Sequence, residues 1–140
     1  MRTATTRVGA ALMLAAAAVA VSSAPASAEP GDGHLVRYTL RTAAPADFKL
    51  NYVIASPPSK QAYNADPYTY LKSEVVVIGP EQPWVFEVTL DDPEWAILTA
   101  STGVHAMQAS PNPVCEIEVD GEVRVHQEGP YTAHCQLGAW

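Results

Sequence analysis

Val114-Cys115-Glu116-Ile117-Glu118-Val119-Asp120-Gly121-Glu122-Val123-Arg124-Val125-His126-Gln127-Glu128 decides how this chain is read. Apolar and polar residues alternate on both sides of Asp120-Gly121, the period of a strand and not of a helix. Asp-Gly between two such runs is a strong short-range hairpin signal. A two-residue turn would set Val119 against Glu122 and Ile117 against Arg124, mixing apolar and charged residues on each face. A three-residue loop over 119–121 pairs Ile117 with Val123. Cys115, Ile117, Val123 and Val125 then share one face, and Glu116, Glu118, Glu122, Arg124 and His126 share the other. Because a slip of one residue flips every side chain, the sequence predicts the three-residue loop, with Gly121 left-handed in a bulge.

The same period extends outward. Residues 34–41 place Val36, Tyr38 and Leu40 on one side, and residues 48–55 do the same with Phe48, Leu50, Tyr52 and Ile54. Residues 71–78 contain the β-branched run Val75-Val76-Val77-Ile78, which predicts a strand covered on both faces. Lys72, Glu74 and Pro80 around it read as gatekeepers against aggregation. Residues 84–90, 94–102 and 131–136 supply further strands. No segment of 29–140 has a good amphipathic helical pattern. Residues 56–70, with Pro57, Pro58 and Pro67, read as a long surface loop with tyrosines folded back onto the domain. Tyr63, Tyr68 and Tyr70 in that loop are the candidate partner surface, since tyrosine joins an apolar body to a polar tip. Seven to eight short strands predict an all-β fold, an antiparallel β-sandwich.

Residues 1–28 are of another kind. Arg2 and Arg7 are their only charges, residues 8–21 are uncharged and alanine-rich, and Ala26-Ser27-Ala28 fits a small-residue cleavage pattern. This reads as a secretory signal peptide cut after Ala28. A retained anchor is the alternative, but a span needs about 20 apolar residues. Residues 29–33 read as a flexible lead-in, and 34–140 as one domain with no stable membrane span after cleavage.

Residues 29–140 hold all 15 acids and six Lys and Arg, a net charge of −9. That argues against nucleic acid and against docking on anionic lipid. Cys115 and Cys135 are the only cysteines, so export predicts one disulfide between them. A metal pair with His126 or His134 is the alternative, although zinc usually takes four more closely spaced ligands.

No nucleophile elbow, phosphate loop or zinc-protease motif is present. His34, His105, His126 and His134 are scattered. Asp91, Asp92 and Glu94 match no EF-hand spacing, and Glu116, Glu118 and Glu122 read as a solvated acidic face. Neither a catalytic set nor a cofactor or metal is expected.

The hairpin from Val114 to Val123, with Cys135 about 20 residues after the first cysteine, resembles the MmpS family of small mycobacterial transport accessory subunits. Pro83-Trp84 before a V-T-L strand is similar to that family's pattern. Residues 36–40, 50–53 and 97–101 look like its other strands. The resemblance implies an immunoglobulin-like sandwich in the periplasm or cell envelope, with a disulfide. It also implies a non-catalytic role beside an MmpL-type exporter of lipids or siderophores, with that transporter or apolar cargo as partner. The cleavable leader and the 56–70 insertion depart from the family pattern. A freestanding secreted interaction module, adhesion- or inhibitor-like, is the second expectation.

Overall fold

Period two, with side chains turned alternately towards the core and away from it, carries eight strands through the chain, with one bulge in the last hairpin. The structure, a computed structural model, describes residues 33–139. The expected signal peptide and most of the lead-in lie outside the described residues. The strands are β1 (His34–Arg41), β2 (Ala46–Val53), β3 (Leu71–Ile78), β4 (Trp84–Leu90), β5 (Ile97–Ser101), β6 (Val114–Val119), β7 (Glu122–Glu128) and β8 (Thr132–Gln136). They form two antiparallel four-stranded sheets, in the orders β4-β1-β6-β7 and β3-β2-β5-β8. The expected β-sandwich is the fold.

Inward residues of both sheets make one core. Val36, Tyr38 and Leu40 of β1 meet Phe48, Leu50 and Tyr52 of β2, all fully buried. Tyr38 spans the core: its hydroxyl donates to the Val53 carbonyl at 2.8 Å and accepts from the Ile97 backbone N–H. Burial raises its phenol pKa well above the ordinary tyrosine value. Cys115 of β6 and Cys135 of β8 form the expected disulfide, which ties one sheet to the other.

The outward face of the first sheet is laced by cross-strand ion pairs. Arg37 lies opposite Glu87 on one side and Glu118 on the other, and bonds them at 2.6 and 3.7 Å. Arg41 and His126 both reach Glu116, at 2.9 and 3.0 Å. The acidic face is therefore partly neutralised by register.

The last hairpin departs from the expected loop. Val119 pairs with Glu122, so the turn is the two residues Asp120-Gly121. Their φ values, 52° and 85°, are both left-handed, as a type I′ turn requires. The local preference of Asp-Gly prevails, and facial consistency is restored one pair later. Glu118 opposes Val123 but Ile117 opposes Val125, leaving Arg124 as the extra residue of a bulge. Val125 thus returns to the core face, while Val123 stays outside, half exposed.

Three further expectations are corrected. β3 is an edge strand and is not covered on both faces: Val75 and Val77 are 70% and 78% exposed. Its valines reflect strand propensity, which does not distinguish edge from centre. Residues 56–70 also contain a short helix α1 (Lys60–Ala65) and a 3-10 turn at Pro67–Thr69. The prolines flank α1 without entering it, and the Ser59 hydroxyl caps its start by accepting from the Ala62 N–H at 3.1 Å. Finally, Trp95 belongs to a 3-10 turn, Pro93–Trp95, ahead of β5 and not to the strand itself. Asp92 caps that turn by accepting from the Glu94 N–H at 3.0 Å.

Candidate binding site

β3 and β4 are edge strands of opposing sheets, joined by the turn at 79–83. The flank between them is where the sandwich presents aromatic rings beside charge. Period two turns Lys72, Glu74, Val76 and Ile78 of β3 inward, because they pair with the inward positions of β2: Lys72 lies opposite Tyr52 and Glu74 opposite Leu50. From β4, Trp84 and Phe86 turn inward and remain half-buried.

These side chains converge. The Tyr52 ring lies 5.0 Å from Trp84 and 4.8 Å from Phe86, centroid to centroid, in tilted arrangements. Trp84 and Phe86 stack 6.2 Å apart. The Tyr52 hydroxyl donates to Glu74 Oε1 at 2.7 Å. Lys72 Nζ sits 3.6 Å from Glu74 Oε2 and 5.9 Å from the Tyr52 and Phe86 ring centroids. Burial, and then the hydrogen bond to the Glu74 carboxylate, push the Tyr52 phenol up, so it remains a neutral donor at physiological pH. The result is an aromatic slot floored by Tyr52 and rimmed by one cation and one anion. It could hold an apolar body against the rings and a polar end at Lys72 or Glu74.

The three tyrosines singled out in the sequence divide. Tyr63 lies 5.9 Å from the Trp95 ring and 6.5 Å from Tyr70, so α1 is pinned to the domain by aromatic packing. Burial raises the Tyr63 phenol pKa. Tyr70 closes the strap through its carbonyl, which accepts from the Ile54 N–H at 2.8 Å. Tyr68 alone points outward, 78% exposed.

Three of the four histidines have separate local partners. His34 Nδ1 meets Asp120 at 2.7 Å, His126 meets Glu116, and His134 meets Thr99 at 3.0 Å. Glu122 stands apart from Glu116 and Glu118, because the two-residue turn sets it opposite Val119. Among the described residues no three His, Cys, Asp or Glu side chains group as metal ligands.

Sequence reasoning missed Tyr52, Lys72, Glu74, Trp84 and Phe86 as a group. A signal existed: once Ile78 is assigned inward, parity sends Glu74 and Lys72 inward as well. What the sequence lacks is the sheet order that sets β3 beside β4.

The family model described as the Rv2576c beta-sandwich domain matches residues 38–135. The uncharacterized protein Rv2576c of Mycobacterium tuberculosis strain H37Rv is 40% identical over 126 residues, which are 89% of this chain and 79% of that protein. The uncharacterized protein Mb2606c of Mycobacterium bovis matches with the same identity and extent. The family model's description names the sandwich that the strand pattern predicts.

Proposed function

The chain belongs to the Rv2576c beta-sandwich domain family, and from that premise we propose that it is a non-catalytic binding domain working outside the cytoplasm. Its role is that of a transport accessory, as in the MmpS family, beside an MmpL-type exporter of lipids or siderophores. The observation that carries this reading is the Tyr52–Trp84–Phe86 slot with its Lys72–Glu74 rim. Three rings offer desolvation to an apolar cargo, and Lys72 offers a charge to an acidic end. The inter-sheet disulfide supports an oxidising compartment, where such bonds persist.

The test is binding of a fluorescent long-chain fatty acid to the full chain. Trp84→Ala with Phe86→Ala should weaken it at least about tenfold, the loss of two buried ring contacts. Deleting the gene should reduce lipid or siderophore export. Unchanged export together with no binding would sink the proposal.

A freestanding secreted interaction module is the second reading. The exposed Val75 and Val77 on the β3 edge favour it, because an open edge can accept a partner strand. Lys72 and Glu74, turned inward on that same strand, favour the first reading, since inward charge is a common guard against edge pairing.

A further inference from the structure

The two ends of the sandwich differ in charge. One end is built by residues 42–45, 79–83, 102–113 and 129–131, and Glu81 is the one Asp, Glu, Lys or Arg in these four loops. The opposite end, built by 54–70, 91–96 and 120–121, carries Asp66, Asp91, Asp92, Glu94 and Asp120 against Lys60. Residues 95–115 contain no Asp, Glu, Lys or Arg at all.

From the middle of the uncharged end, two apolar side chains project. Val104 is 72% exposed, and Met107 is fully exposed. Met107 has φ 65°, a left-handed conformation that L residues adopt at a cost. The loop is nonetheless braced. Gln108 N–H donates to the His105 carbonyl at 3.3 Å, Ala43 N–H to Pro111 at 2.7 Å, and Asn112 N–H to Pro130 at 3.1 Å. The Thr42 hydroxyl adds a second bond to the Pro111 carbonyl at 2.8 Å. A turn whose base at Pro111 and Asn112 is tied to the domain therefore holds the two apolar tips in water.

We infer that this end docks on a neutral lipid surface, with Val104 and Met107 inserted among the lipids. Charge selects the occupant. Burying an unpaired charge is expensive, and these loops bring almost none. Protein hot spots are rich in Trp, Tyr and Arg, whereas these four loops hold no Trp or Arg, and their one tyrosine, Tyr131, is half-buried; the nearest Arg, the exposed Arg41 at the end of β1, is paired with Glu116. The acidic remainder of the domain repels anionic headgroups, so the surface is uncharged. The docking geometry leaves the acidic end, where residues 137 and 138 bond back to Ala96 and Glu94, facing away from the lipid. This inference rests on the loops alone and stands or falls independently of the aromatic slot.

The experiment uses the full chain and phosphatidylcholine vesicles. Met107→Cys and, as the opposite-end control, Tyr68→Cys are labelled with a polarity-sensitive fluorophore. The label at 107 should blue-shift on adding vesicles and be quenched by spin-labelled lipid, while the label at 68 should not respond. Adding phosphatidylglycerol should weaken the response. In the unlabelled chain, Val104→Ser with Met107→Ser should lower vesicle partitioning about tenfold or more, without changing the melting temperature. A silent label at 107, an equal response at 68, or unchanged partitioning of the double variant overturns the inference. So does self-association of the chain, without vesicles, that the double variant abolishes, because the tips would then serve a second copy.

Discussion

Cys115 on β6 and Cys135 on β8 face each other across the core with Cα atoms 6.1 Å apart, so one covalent cross-link joins the two sheets 20 residues apart in sequence. Closing a loop of that length stabilises by roughly 3 kcal/mol in the chain-entropy model. Replacing both cysteines by alanine should lower the melting temperature by roughly 10–20 °C. A thermal scan of the double variant beside the oxidised and reduced wild type measures this, and the reduced protein should approach the variant.

The tip of the last hairpin is fastened to the start of β1. Asp120 accepts from the Leu35 N–H at 2.9 Å and meets His34 at 2.7 Å, while its own N–H donates to the Leu35 carbonyl at 2.8 Å. The bond from His34, and then the one from Leu35, hold the Asp120 carboxyl below the usual aspartate range. A carboxyl whose folded pKa is depressed adds stability above its unfolded pKa, and that stability is lost as pH falls through the folded value. Asp120→Ala should therefore melt below the wild type at neutral pH, and the gap should narrow in acid to the part that a left-handed alanine costs at any pH. An NMR titration of the Asp120 carboxyl should show its pKa rising toward the ordinary value in His34→Ala.

Two glycines separate backbone strain from steric overlap. Gly121 has φ 85° and open space around a would-be Cβ. Gly121→Ala should cost about 1 kcal/mol, the price of a left-handed alanine. At Gly129 a Cβ would overlap the Thr132 carbonyl oxygen, which belongs to rigid backbone at the start of β8. Gly129→Ala should cost more than Gly121→Ala. Denaturant unfolding of the two variants ranks them, and equal costs would mean the β7–β8 corner relaxes freely.

The strand positions were largely legible because burial imposes period two. β1, β3, β4 and β7 begin and end where alternation and turn residues place them. The hairpin turn was misread because two local rules conflict there. Asp-Gly favours a two-residue turn and side-chain parity favours three, and a bulge at Arg124 satisfies both. The slot was hidden for a different reason. Lys72 and Phe86 are close in sequence, but they meet across an interface between sheets whose strand order no local pattern encodes. The uncharged end was written in the chain as the run 95–115, yet only the topology gathers it with residues 42–45, 79–83 and 129–131.

Tyr38 offers a direct probe of how the sheets are joined without the disulfide. Its hydroxyl reaches from β1 to the Val53 carbonyl on β2. Tyr38→Phe keeps the ring and removes the hydroxyl, leaving the Val53 carbonyl and the Ile97 N–H each short of a partner. The cost should be about 1–2 kcal/mol. Denaturant unfolding measures it, and no loss would mean that water takes over both groups.

Val75 and Val77 test whether β3 is an open edge in solution. Both side chains project from the outer face of an edge strand whose neighbours across β2 are Lys49 and Asp47. An exposed residue can be exchanged for a charge at little cost, within about 0.5 kcal/mol. An exposed apolar edge also promotes strand pairing between molecules, which a charge opposes. Val75→Glu, opposite Lys49, with Val77→Lys, opposite Asp47, should therefore leave the melting temperature nearly unchanged and slow aggregation on heating, followed by light scattering. A loss of about 2 kcal/mol or more would show that these valines are covered in the folded protein, and that the edge is closed by a contact between molecules.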